Sequence, residues 1–192
     1  MRWGMALAVL VGCKDPASGT FVGNPTLRAR FVDNDVQVGL GGELVTLETA
    51  VEPCSGPTVE LGPKTFAFEG TEATIELELP DEELCGLLVV VKTLTIEADD
   101  GGTVKEVTGQ DFDLSVPSEA IPAGETSLEL RLGDEDWLAA FLPLAPEGPT
   151  LLNGESDTAL YDAFFDGLDA GSTFEALNTS AGRSRRFSSG ER

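Results

Sequence analysis

The chain has 192 residues, 34 acids against 12 bases, and a net charge of −22. An apolar fraction of 41% with mean hydropathy near zero suits one globular domain with short appendages, not a disordered chain. There is no histidine, which excludes Ser-His-Asp and Cys-His catalysis, histidine-ligated zinc and ordinary histidine pH switching. All acids but Asp15 and Glu191 fall between Asp33 and Glu175, against only Lys64, Lys92, Lys105 and Arg131. Such a body repels nucleic acid and anionic lipid headgroups, while leaving carboxylates free for cations.

The N-terminus carries one positive charge, Arg2, and then a short apolar run from Trp3 to Val11 that Lys14-Asp15-Pro16 ends abruptly. About 20 apolar residues are needed to span a bilayer, so this run reads as a signal peptide over 1–12. At its end stands Leu10-Val11-Gly12-Cys13. This tetrapeptide resembles the lipobox of bacterial lipoproteins. The resemblance implies diacylglycerol on the Cys13 sulfur, cleavage before Cys13 and acylation of the new amino terminus. Several acyl chains anchor stably where one binds marginally. Residues 13–25 then read as the lipidated cysteine and a polar tether. Within it, Thr20-Phe21-Val22-Gly23-Asn24-Pro25 is similar to a segment of lipoproteins from high-GC Gram-negative bacteria. The implied address is the cell envelope, on the outer membrane in preference to the inner, facing the periplasm or the surface.

Strand patterns follow over 26–133. Leu27, Ala29 and Phe31 alternate with arginines, and Val45, Leu47, Thr49 and Val51 alternate with Thr46, Glu48 and Ala50. Val59 with Leu61, and Phe66 with Phe68, mark short pieces. Ala73, Ile75, Leu77 and Leu79 alternate with polar residues, as do Leu128, Leu130 and Leu132 with Glu129 and Arg131. Period two with charge on the other face predicts half-buried antiparallel strands. Leu87–Val91 is continuously apolar, which predicts a central strand covered on both faces. Asp99-Asp100-Gly101-Gly102 reads as a hairpin turn into a return strand over Thr103–Val107. Short strands at roughly ten-residue spacing predict a mainly β fold, an antiparallel immunoglobulin-like sandwich.

Residues 134–177 read as a helical segment packed on that sheet. Asp134–Leu142 places Trp137, Leu138 and Phe141 on one face, and Pro143–Pro149 reads as a loop. Ser156 can cap a second helix, with Leu160, Phe164, Phe165 and Leu168 as its buried stripe and Gly167 or Gly171 as its stop. From Asn178 the composition, with Arg183, Arg185, Arg186 and Arg192, predicts a disordered basic tail. Its arginines could also meet the acidic body or an anionic surface polymer.

With Cys13 lipidated, Cys54 and Cys85 are left as a pair in an oxidising compartment, and a disulfide between them is expected. Acid clusters at Asp33/Asp35, Asp81/Glu82/Glu83, Asp99/Asp100, Asp134/Glu135/Asp136 and Asp157/Asp162/Asp166/Asp169 raise calcium binding as an alternative. The last cluster fails the EF-hand pattern. With Gly171 sixth, Leu168, Ala170 and Leu177 occupy ligand positions. A carboxylate-pair glycosidase is a second alternative, but Trp137 and Tyr161 are few aromatics for a sugar groove. The expectation is therefore a non-enzymatic envelope protein with a structural or interaction role. It carries no catalytic residue, metal or cofactor, touches the membrane through Cys13, takes an envelope protein or polymer as partner, and binds no nucleic acid.

Overall fold

The computed structural model describes residues 25–31, 39–100, 102–134, 136–152 and 158–177. The leader, Cys13, Asp33/Asp35, Ser156, Asp157 and the segment from Asn178 onward lie outside them.

The fold is mainly β. Its strands are β1 (Thr26–Phe31), β2 (Gly39–Pro53), β3 (Val59–Glu60), β4 (Thr65–Glu69), β5 (Glu72–Glu76), β6 (Leu84–Asp100), β7 (Thr103–Ile121), β8 (Ser127–Leu132), β9 (Gly148–Leu152) and β10 (Thr173–Ala176). Two helices, α1 (Trp137–Phe141) and α2 (Thr158–Gly171), fall between β8 and β10. The strands form one path, β10-β8-β1-β5-β4-β2-β6-β7-β9, with β3 beside β2. Two pairings on it are parallel, β1 with β8 and β7 with β9, so the sheet is mixed and not antiparallel throughout. The reason lies in the connections. Long crossovers return the chain to β1 and β7 in the same direction, and alternation within a strand carries no information on its partner's direction.

The β4–β5 hairpin joins the two halves of the path. Gly70, at φ 69°, supplies the left-handed turn residue, and the two strands share a single ladder pair, Glu69↔Glu72. Beyond that pair β5 runs beside β1 while β4 runs beside β2.

Backbone irregularities in β2 and β7 lie at one level of the sheet. β2 shifts register between Val45 and Thr46 and again before Glu48. On β7, Asp111 is left-handed (φ 51°) opposite Lys92, between the pairs Val91↔Phe112 and Thr93↔Gln110. The bulge in β2 exchanges its faces, as an inserted residue must. Leu47 is therefore 55% exposed while Thr46 is buried, a departure from the expected alternation, and Thr49 is buried as expected. Their hydroxyls are mutually hydrogen-bonded (3.0 Å), and Lys64 N donates to Thr46 Oγ1 (2.8 Å), so the buried polar atoms of the bulge are satisfied.

β6 is central, as expected, between β2 and β7. Only one of its faces is fully buried. Leu87, Val89 and Val91 point into the core, while Leu88 and Val90 are half-buried. The apolar run thus reflects a partly covered second face.

The expected helical segment contains more than helices. Trp137, Leu138 and Phe141 are buried on α1 as anticipated, and so are Leu160, Phe164 and Leu168 on α2, with Phe165 half-buried. α2 passes through Gly167 and ends at Gly171. The strands β9 and β10 are additions. β9 begins inside the expected loop and carries Pro149, tolerable because β9 ends the strand path and Pro lacks only a donor. Trp137 joins the helices, its Nε1 donating to the Phe164 carbonyl at 2.7 Å. Gly133 (φ 73°) lies against the Trp137 ring, where a side chain would collide. Lys105 Nζ donates to the Leu142 carbonyl at 2.7 Å, placing a cation at the C-terminal end of α1.

Candidate functional site

Cys54 and Cys85 are disulfide-bonded, with Cα atoms 4.9 Å apart. The antiparallel pairing of β2 with β6 brings them together. Glu52 lies opposite Gly86, Pro53 opposite Leu84, and Cys54 N donates to Glu83 O at 2.8 Å. β2 therefore continues two residues past Val51 before its cysteine.

The most organised charged group was not anticipated. Glu129 on β8 belongs to the face expected to be solvated, yet it is 1% exposed. Arg131 Nε donates to its Oε1 at 2.6 Å, and Arg28 Nε lies 3.5 Å from its Oε2. Arg28 Nε makes an ion-pair approach without hydrogen-bond geometry. Outward, Arg28 pairs with Glu72 at 2.8 Å and Arg131 with Glu175 at 2.6 Å. The ladder Glu72–Arg28–Glu129–Arg131–Glu175 thus crosses β5, β1, β8 and β10. The Glu129 hydrogen bond holds the Arg131 guanidinium above its ordinary pKa against the opposing effect of burial, and the charges of Glu175 and Glu129 add to it. The ladder is geometrically a tie between strands, since each of its charged groups lies against one of opposite sign. Only the parallel register Arg28↔Glu129 reveals it, and no feature of either strand's own sequence predicts that register.

Among the described residues two open grooves adjoin β7. One, of about 460 Å³, runs between Pro117–Ile121 of β7 and β10, with Glu119, Glu125 and Glu175 on it. Ser118 Oγ there is buried and has no hydrogen-bond partner among the described residues. The other, of about 240 Å³, lies between β7 and α2, with Asp113, Asp166 and Asp169 around Phe112 and Phe165. Among the described residues no three acids converge to hold a metal ion. Asp162, Asp166 and Asp169 stand along the exposed side of α2. Trp137 is fully buried and so presents no stacking platform to a sugar. Among the described residues no helix is long and apolar enough to cross a membrane. Comparison with protein-family models, with curated proteins and with solved structures finds no match to this chain.

Proposed function

We propose that the chain is an acidic lipoprotein of a bacterial cell envelope, held to the membrane by diacylglycerol on Cys13. In this reading residues 26–177 form a non-enzymatic domain with a structural or interaction role toward an envelope protein or polymer. The observation that carries the reading is Leu10-Val11-Gly12-Cys13 directly after a short apolar run. The Cys54–Cys85 bridge supports it, because disulfides persist in oxidising compartments and are rare in the cytosol. The lack of histidine supports a non-catalytic role.

The finer architecture belongs to the same proposal. β10-β8-β1-β5 and β4-β2-β6-β7-β9 would be the two facing layers of an immunoglobulin-like sandwich, joined at the Glu69↔Glu72 corner. The single ladder pair there supports this division. The outer membrane, with residues 13–25 as tether, is the proposed address. Metabolic labelling with palmitate tests the anchor. Label should enter the wild-type chain and be lost in Cys13→Ser, and an unlabelled wild-type chain would overturn the reading.

A further inference from the structure

The edge of β7 is covered by a strand along only part of its length. β9 pairs with Lys105–Gly109. From Phe112 to Val116 β7 is laddered to β6 alone, and Pro117, which has no N–H, ends the stretch. These residues span about 17 Å. α2 stands opposite them across the groove of about 240 Å³. Phe112, Asp113 and Leu114 all line that groove, although successive side chains of a strand point to opposite faces. The groove therefore lies on the strand edge and not on a face of the sheet. Its floor is aromatic. Phe112 and Phe165 are half-buried and meet edge-on with centroids 5.1 Å apart, and Tyr161, one turn back on α2, lies 4.5 Å from Phe165. Gly109 lets these rings close in, since a side chain there would stand 2.9 Å from Phe164 and 3.1 Å from Phe165. The walls are acidic, with Asp113 on β7 and Asp166 and Asp169 on α2, all exposed. Among the described residues none of these three is in an ion pair, and no cation lines the groove.

We propose that this open edge takes an extended, arginine-bearing segment of a partner protein, which adds a strand beside Phe112–Val116 and seats a guanidinium on Phe112 and Phe165, between Asp113 and the α2 carboxylates. A strand edge offers backbone N–H and C=O groups at the spacing of another strand, so polypeptide is the chemistry that satisfies it. Asp113, Asp166 and Asp169 do not converge on a metal ion. A guanidinium suits them better. It is planar, stacks on aromatic faces and carries five donors, so it lies on the rings while facing carboxylates on both walls. The net charge of −22 draws a basic partner toward the domain over a longer range. This partner class refines the interaction role proposed above and rests on that role, not on the lipid at Cys13.

The test titrates the full chain with two synthetic peptides, Thr-Val-Thr-Arg-Thr-Val-Thr and the same peptide with neutral citrulline in place of arginine. Calorimetry should show binding of the first, weakened about tenfold by citrulline and by Asp113→Asn/Asp166→Asn/Asp169→Asn. Glu43→Gln/Glu97→Gln/Glu106→Gln removes the same charge from β2, β6 and β7 outside the groove, and should weaken binding less than about twofold. Bound peptide should also slow amide hydrogen exchange across 112–116. Equal weakening by the two triple variants would overturn the proposal, as would binding that leaves 112–116 unprotected or no binding at millimolar peptide. So would binding that emerges only in Arg183→Gln/Arg185→Gln/Arg186→Gln, which would put the chain's own arginines in the groove. A dimer in sedimentation that the three Asp→Asn changes dissolve would assign the edge to a second copy and overturn it too. Palmitate incorporation at Cys13 is read separately, so failure of the anchor and failure of this contact are distinguishable.

Discussion

Arg131 and Glu129 stand two residues apart on one strand, their side chains on the same face and 2.6 Å from each other. The pair holds an otherwise isolated buried carboxylate between β1 and β10. Truncation by Glu129→Ala leaves Arg28 and Arg131 facing each other without the intervening charge. Breaking a buried ion pair costs about 3–5 kcal/mol, and the partial exposure of both arginines reduces this to about 2 kcal/mol. A urea midpoint lowered accordingly is expected, with Glu72→Ala, at the exposed end of the ladder, costing under about 1 kcal/mol. Equal losses for the two would contradict the assignment.

The same pair fixes a pH dependence. Arg131 is held above its ordinary pKa in the folded state. A base with a raised folded pKa contributes its stabilisation fully below the unfolded value and loses it only as pH rises through the folded one. That window is strongly alkaline. The difference in urea midpoint between wild type and Arg131→Gln should therefore be flat from about pH 6 to about pH 9. A slope in that range would mean that another group carries the titration.

The disulfide closes a loop of 31 residues. Loop closure of this length restricts the unfolded chain by about 3–4 kcal/mol. Cys54→Ala/Cys85→Ala should lower stability by that order while keeping the far-ultraviolet circular dichroism of the β fold. Because β2 and β6 are paired over most of their length, the register should survive. Loss of all β signal would show that the bridge is required for the fold itself.

Trp137 offers a spectroscopic check. It is 1% exposed among Phe31, Phe141 and Phe164, so its emission should be blue-shifted and poorly quenched by iodide. Gly133→Ala would place a methyl group against the indole at a positive φ. It should cost at least about 1–3 kcal/mol and shift emission to the red. An unchanged spectrum and midpoint would refute the packing of α1 against the β8 end.

How far the sequence could be read depended on whether the signal was local. β1, β4 and β5 follow their alternation, as β8 does apart from the buried Glu129, and the α1 and α2 stripes were legible because helical spacing is local too. The disulfide followed from counting cysteines. Partner choice was not legible, since Arg28 and Glu129 lie about a hundred residues apart and meet only through a parallel pairing. The exposure of Leu47 and burial of Thr46 were hidden for a related reason. A bulge changes the face of every later residue without leaving a mark in composition. β9 was masked by Pro149, and the four residues of β10 offer too short a pattern to register.

The central claim is the lipid on Cys13. Mass spectrometry of the protein extracted from membranes, with its amino-terminal peptide sequenced, addresses it directly. The account predicts a chain that begins at Cys13 and carries diacylglycerol and an N-acyl group, with no peptide from residues 1–12. An unmodified chain beginning at Met1, recovered without detergent, would contradict it.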